Sequence, residues 1–244
     1  MATAIALKNV DCRFGNFVAV QDLSFEVGSG EVVALVGRTG AGKSTALNLV
    51  MGSIRPTSGQ VRVEGFDPER EFMSLRGKVS VSFQTDRLLP WRTAMENVEL
   101  GLQILGVRHE EAVQRAARCL ASVNMTPARD KYPHEMSGGM RQRVSLARAL
   151  AVDPSILLLD ESFSQLDAVT SAQLRREVAE LLRSLHKTCL FITHRIEDAI
   201  EMADRILVLA APARVVLEVR IDETIRANPG PTQSEIAAAM SADN

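Results

Sequence analysis

The run Gly37-Arg38-Thr39-Gly40-Ala41-Gly42-Lys43-Ser44-Thr45 constrains this chain more than any other segment. It spells G-x-x-x-x-G-K-S and directly follows Glu31-Val32-Val33-Ala34-Leu35-Val36, an apolar stretch of the kind buried on both faces of a parallel sheet. A helical stretch runs on from Ser44 to Met51, closed by Gly52. Strand, glycine loop and helix in that order make a phosphate-binding loop. The glycines let backbone N–H groups turn inward around an anion, and the helix brings its positive end to the same point. Lys43 offers a charge to the β- and γ-phosphates, and the Ser44 hydroxyl suits Mg²⁺. A flexible glycine turn that merely precedes a lysine would lack the flanking strand and helix. The segment therefore implies binding of a nucleoside triphosphate.

The remainder of the chain narrows the setting. With 244 residues, 46% of them hydrophobic, it can bury one sizeable core and carry a small subdomain. A net charge of −2 with both signs interspersed argues against a nucleic-acid partner. Cys12, Cys119 and Cys189 stand far apart, without C-x-x-C or metal-like spacing, which suits a reducing cytosol. The N-terminal residues show no signal-peptide pattern, and no apolar run approaches the ~20 residues that span a bilayer. Any membrane role would pass through a partner.

Along the chain, strand patterns occur at Ile5-Ala6-Leu7, at Leu23 to Val27 and, past the glycine loop, at Gln60 to Gly65 and Lys78 to Gln84. From about Thr93 to Val152 the pattern turns helical and mixed in charge, with interruptions at Gly106, Pro127 and Pro133. Strands return at Ser155–Asp160, Cys189–Thr193 and Arg205–Leu209. Between the first two lies a helix whose apolar stripe is Leu174, Val178, Leu181, Leu182 and Leu185. Buried strands alternating with helices predict a parallel α/β sheet, with residues of about 86–152 inserted as a helical subdomain. One catalytic domain then spans 1–227. The stretch 228–244, with Pro-Gly-Pro and an alanine-rich end, reads as a flexible tail.

Two further constellations decide the chemistry. Ile156-Leu157-Leu158-Leu159-Asp160-Glu161 is a buried strand ending in two carboxylates. Parallel sheets hold ligands at that edge, so Asp160 suits Mg²⁺ and Glu161 can hold an attacking water; the plainer alternative is a strand that ends in solvent. Met136-Ser137-Gly138-Gly139-Met140-Arg141-Gln142-Arg143 opens a helix with Val144, Ala147, Leu150 and Ala151 on one face. Ser137 can cap that helix, whose N-terminus is a second anion site.

Phosphate loop, S-G-G-x-x-Q-R helix and acidic strand, in that order, resemble the ATP-binding cassette (ABC) family from about residue 5 to 210. The resemblance implies a P-loop NTPase (RecA-like) α/β fold, with a parallel-sheet core, an N-terminal antiparallel β subdomain and the inserted α-helical subdomain. It also assigns roles. ATP is held by Gly37, Arg38, Thr39, Gly40, Ala41, Gly42, Lys43, Ser44 and Thr45, by Phe14 stacking on adenine, and by Gln84, Ser137, Gly138, Gly139 and Asp167. Ser44, Gln84 and Asp160 ligate Mg²⁺. Glu161, His194 and Lys43 serve catalysis, and the loop Ser164-Gln165-Leu166-Asp167 crosses to a second protomer. His109, His134 and His186 have no such context and read as structural or exposed.

The resemblance further implies an ATP-hydrolysing homodimer, or paired cassettes, closing around ATP. It would act peripherally on permease subunits at the cytoplasmic face of the inner membrane, together with a substrate-binding protein and without nucleic acid. Met136, Met140, Ser162 and Gln165 depart from the commonest family residues, but none removes a charge. The Leu88-Leu89-Pro90-Trp91 run resembles importer cassettes of the nitrate, sulfonate and taurine type, which points to a small anionic solute. A lipid-moving or efflux complex is the rival reading. Single-cassette architecture argues against a ribosome- or DNA-acting member. A kinase or GTPase would not need the S-G-G helix, and a GTPase would carry N-K-x-D, which the chain lacks. Trp91, the only tryptophan, is expected either to pack beneath the helical subdomain or to face the membrane subunit.

Overall fold

The computed structural model describes residues 2–161 and 168–241. The chain forms two compact units, one drawn from Met1–Leu75 and Leu185–Asn244, the other from Arg76–Ser184.

The first unit opens with strands β1 (Thr3–Phe14) and β2 (Phe17–Gly28), an antiparallel hairpin in which Phe14 pairs with Phe17. Gly15 turns it at φ 59°, a left-handed backbone that glycine adopts without strain. Strand β3 (Val32–Val36) leads into the glycine loop and helix α1 (Lys43–Val50). Strand β4 (Ser58–Val63) pairs antiparallel with β1, so the first sheet runs β2-β1-β4.

The second unit holds β5 (Val79–Ser82), α2 (Ala94–Ile104), α3 (His109–Ser122), α4 (Gly138–Ala151), β6 (Ile156–Asp160) and α5 (Ala168–Ser184). Strands β5 and β6 lie parallel, in register from Val79 opposite Ile156 to Ser82 opposite Leu159. A Cβ at Gly101 would come 2.7 Å from the Val152 Cγ1, so glycine lets α2 run close beside the end of α4. Three-residue 3-10 turns follow at Thr126–Ala128 and Pro133–Glu135, each built around the proline that interrupts the helical pattern.

The first unit resumes with β7 (Thr188–Thr193), α6 (Ile196–Met202), β8 (Arg205–Ala210), β9 (Arg214–Arg220), α7 (Glu223–Ala227) and α8 (Gly230–Ser241). Strand β3 lies between β7 and β8, parallel to both, and β9 closes on β8 antiparallel. All five residues of β3 and all six of β7 are buried, which is why β3 and the Cys189–Ile192 centre of β7 read as apolar runs.

The structure departs from the sequence reading in three places. Residues 230–241, expected as a flexible tail, form α8 with Ile236 fully buried. Pro231 stands in its first turn, where a missing N–H is tolerated, and alanines favour its continuation. Strand β9 was not anticipated, because its side chains are at most half-buried and give no core signal. Leu185, expected on the α5 stripe, lies beyond that helix and is exposed, whereas Leu174, Val178 and Leu182 are buried as expected.

Candidate nucleotide-binding and catalytic site

In the first unit, the site begins where β3 ends. Val36 lies opposite Thr193 of β7, so Gly37 and His194 leave the sheet at the same carboxyl edge. The loop then needs glycine for space as well as for conformation. Gly42 sits at φ 78°, and a Cβ there would come 2.6 Å from Ala213 Cβ and 2.7 Å from the Ala19 carbonyl. A Cβ at Gly37 would stand 2.6 Å from the Leu209 carbonyl oxygen. Gly42 also precedes α1 as its N-cap and brings no side-chain hydrogen bond, so the positive end of the helix is left to a ligand. Lys43 is 6% exposed and curls back to donate to the carbonyls of Gly37 at 2.7 Å and Arg38 at 3.0 Å. Its ammonium is thereby held within the bend of the loop. Ser44 is exposed and Thr45 half-buried; Arg38, Thr39 and Gly40 are exposed, and Ala41 is buried.

The contact of Gly42 with Ala19 brings β2 against the loop close to the hairpin tip that bears Phe14 and Phe17. Phe14 is 52% exposed, which suits a ring that stacks on a base and not one that fills a core. His194 is exposed on the turn after β7. That turn is fastened by buried Thr193, whose hydroxyl accepts from the Arg195 N–H at 3.1 Å and lies 3.5 Å from the Asp198 carboxylate.

In the second unit, Asp160 ends β6 and is half-buried, and Glu161 follows with a left-handed backbone at φ 44°. Extending the β5–β6 register two residues beyond Ser82 and Leu159 brings Gln84 beside Glu161. The Gln84 amide Nε2 donates to the Glu161 carboxylate at 3.2 Å. Ser137 caps α4 as expected, its hydroxyl accepting from the Met140 N–H at 3.3 Å. Ser137 and Gly138 are exposed and Gly139 is half-buried, while Met136 is buried and anchors the turn as a leucine would. Asp167, with Ser162, Ser164, Gln165 and Leu166, lies outside the described residues.

Sequence reading missed the groups that hold these in place. Asn97 is fully buried near the start of α2 and ties the preceding loop. Its amide donates to the carbonyls of Leu89 (3.2 Å), Arg92 (3.0 Å) and Thr93 (2.9 Å), and its oxygen accepts from Leu89 N–H at 2.8 Å. The available signal was a polar residue at a core position in Ala94-Met95-Glu96-Asn97-Val98. Arg141 and Arg148 of α4 bond to Asp86 and Arg87 in the same loop. Burial draws Arg148 below the ordinary arginine range, a shift opposed by the Asp86 carboxylate. The loop carries Trp91, which is 71% exposed, so the packing alternative for that residue is overturned. Tyr132 stacks on His134 with ring centres 5.8 Å apart, next to Lys131, whose carbonyl accepts from the Ala94 N–H.

Among the described residues no group of three or more His, Cys, Asp or Glu could hold a metal ion. Mg²⁺ takes hard oxygen ligands and keeps several from water and phosphate, and the Ser44 hydroxyl of the first unit, like the Gln84 amide oxygen and Asp160 carboxylate of the second, is of that chemical type. Also among the described residues, no helix is long and apolar enough to cross a membrane.

A glycine loop on a parallel strand, followed by α1 with no side-chain cap, defines a P-loop nucleoside triphosphatase fold. Residues 20–164 match the ABC transporter family model. The chain is 44% identical over 199 residues to the taurine import ATP-binding protein of Mesorhizobium japonicum, covering 81% of this chain and 76% of that one. It is 42% identical over 208 residues to an aliphatic sulfonates import ATP-binding protein of Paraburkholderia xenovorans, covering 84% and 76%. Among solved structures it resembles a dimeric ATP-binding cassette in a post-hydrolysis state bound to ADP and Pi, with TM-score 0.79, 31% identity and coverage of 89% and 99%. This chain belongs to the ABC transporter family, as an ATP-binding cassette with ATPase activity.

Proposed function

We propose that this chain is the ATP-hydrolysing subunit of an importer for a small anionic solute. It would work at the cytoplasmic face of the membrane on separate permease subunits, with a substrate-binding protein delivering the solute. The ATP chemistry rests on one observation: α1 starts at Gly42 without a side-chain cap, with the Lys43 ammonium drawn into the loop before it. The import reading is supported by the relatives, whose names give taurine, aliphatic sulfonates and sulfate or thiosulfate as cargo, all sulfur oxyanions. The exposed Trp91 in a loop tied down by Asn97 suits docking on a permease, since rigid aromatics anchor interfaces.

In this mechanism the loop from Gly37 to Thr45 and the Lys43 ammonium hold the β- and γ-phosphates, and Phe14 stacks on the adenine. Ser44, Gln84 and Asp160 would each offer an oxygen to Mg²⁺, which when bound would neutralise phosphate charge. Glu161 accepts a proton from the water that attacks the γ-phosphorus, and the bond to the β,γ-bridging oxygen breaks to leave ADP and phosphate. His194 steadies the γ-phosphate. Ser137, Gly138 and Gly139 present their helix N-terminus to the nucleotide of a second copy, and Asp167 lies in the crossing loop. Two copies close around ATP and part after hydrolysis, which drives the permease.

The test is Glu161→Gln, which keeps size and hydrogen bonding but removes the charge that takes the proton. Turnover should fall at least ~100-fold, about 2.7 kcal/mol of barrier, with ATP binding retained and an ATP-bound dimer accumulating on gel filtration. Near-normal hydrolysis by this variant refutes the assignment.

A further inference from the structure

Residues Gln84 to Arg87 are held at both ends, and both ends bear on catalysis. At one end the Gln84 amide donates to the Glu161 carboxylate at 3.2 Å. At the other, two arginines of α4 grip the loop. The Arg141 Nε donates to the Asp86 carboxylate at 2.9 Å, and a second nitrogen donates to the Met136 carbonyl at 2.9 Å, just before Ser137. Arg148 reaches the Asp86 carbonyl at 2.7 Å and the Arg87 carbonyl at 2.8 Å. Seven residues separate the two arginines, close to two helical turns, so they project from one face of α4. The loop between these holds is strained: Arg87 has φ 47°, and its guanidinium sits 3.6 Å from the centre of the Phe83 ring. A left-handed backbone at a bulky residue persists where surrounding bonds over-determine it.

We propose that Arg141 and Arg148 are positioning residues for Glu161: by fixing Asp86 and Arg87 to the S-G-G helix, they set the Gln84 amide that holds the glutamate carboxylate. The inference rests on the functional reading above. It adds that the α4 N-terminus, offered to one nucleotide, is mechanically joined to the proton acceptor serving the other nucleotide of a dimer. Neither arginine touches ATP in this account. Loss of either should therefore slow the chemical step while nucleotide binding stays intact. It should also weaken cooperativity between the two ATP sites.

The experiment measures ATP hydrolysis, ATP affinity and Trp91 anisotropy for the full chain, comparing wild type with Arg141→Gln, Arg148→Gln, Arg148→Lys and the exchange Asp86→Arg/Arg141→Asp. Each glutamine variant should lose about tenfold in kcat with KM for ATP within twofold, since small displacements of a reacting group have effects of that order. The Hill coefficient and the Trp91 anisotropy should both fall. Arg148→Lys, which keeps the charge but replaces the planar two-nitrogen fork with a single ammonium on a more flexible stem, should fall between Arg148→Gln and wild type. The exchange should recover most of the Arg141→Gln loss. In a Glu161→Gln background the same changes should cause no further slowing, because the carboxylate charge that they position is already gone. Unchanged kcat in the glutamine variants, no recovery by the exchange, or additive losses on top of Glu161→Gln would overturn the proposal. If a glutamine variant unfolds, wild-type kcat in Arg148→Lys overturns it equally. A wild-type chain that binds but never hydrolyses ATP would instead strike the functional reading itself.

Discussion

Asn97→Leu is the sharpest probe of how the exposed loop around Trp91 is built. The substitution keeps the branched shape and heavy-atom count in a fully buried position but removes every polar atom, with bulkier methyl groups in their place. Four contacts disappear: donation to the carbonyls of Leu89, Arg92 and Thr93, and acceptance from the Leu89 N–H. An amide nitrogen carries two hydrogens for three acceptors, so the set is equivalent to about three full hydrogen bonds. At about 1 kcal/mol each this amounts to roughly 3 kcal/mol, reduced where loosened carbonyls regain water and increased where they stay dry. With a urea slope of 1–3 kcal/mol/M for a small protein, the midpoint should drop by about 1 M or more. The assay is urea unfolding followed by Trp91, the chain's only tryptophan, with steady-state anisotropy in the native state. Anisotropy should fall, because the loop would lose the ties that restrict the ring. ATP affinity should change little, since Lys43 and the glycine loop belong to the other compact unit. Asn97→Asp gives a signed companion: it keeps the acceptor for Leu89 N–H but sets a negative charge against three carbonyls. Its instability at neutral pH should ease as acid protonates the new carboxyl and restores one donor. A loss below ~1 kcal/mol with unchanged anisotropy would refute the claim that Asn97 organises the loop.

Two further outcomes follow from the site geometry. Gly42→Ala must accommodate a Cβ within 2.6–2.7 Å of Ala213 and Ala19 at φ 78°, and should lose about 2–5 kcal/mol of stability together with nucleotide binding; thermal melting with and without ATP checks both. Ser137→Arg should abolish hydrolysis while leaving ATP binding to the single chain intact. Mixing it with Lys43→Ala should restore activity through one undamaged composite site, and full activity of Ser137→Arg alone would exclude a site shared between two chains.

What could be read from the sequence was chemistry whose partners lie a few residues apart. The glycine loop depends on a strand before it and a helix after it, and Ser137 caps the N–H of Met140 three residues on, so a local pattern contains the whole argument. Buried strands were legible for a different reason. Burial on both faces leaves β3 and the Cys189–Ile192 centre of β7 as continuous apolar runs, with Thr188 and Thr193 bounding the latter. The Gln84–Glu161 hydrogen bond joins residues 77 apart and follows from the register of β5 on β6, which no segment states by itself. The same holds for Arg148, whose partners are backbone carbonyls and so leave no complementary residue type to recognise. Strand β9 and helix α8 were missed because each contributes little to the core, with Ile236 the single fully buried side chain of α8. A polar residue inside an apolar helical stripe, as Asn97 is, marks a place where a helix holds a loop. Here the loop it holds joins Gln84, bonded to the Glu161 carboxylate, to the exposed Trp91.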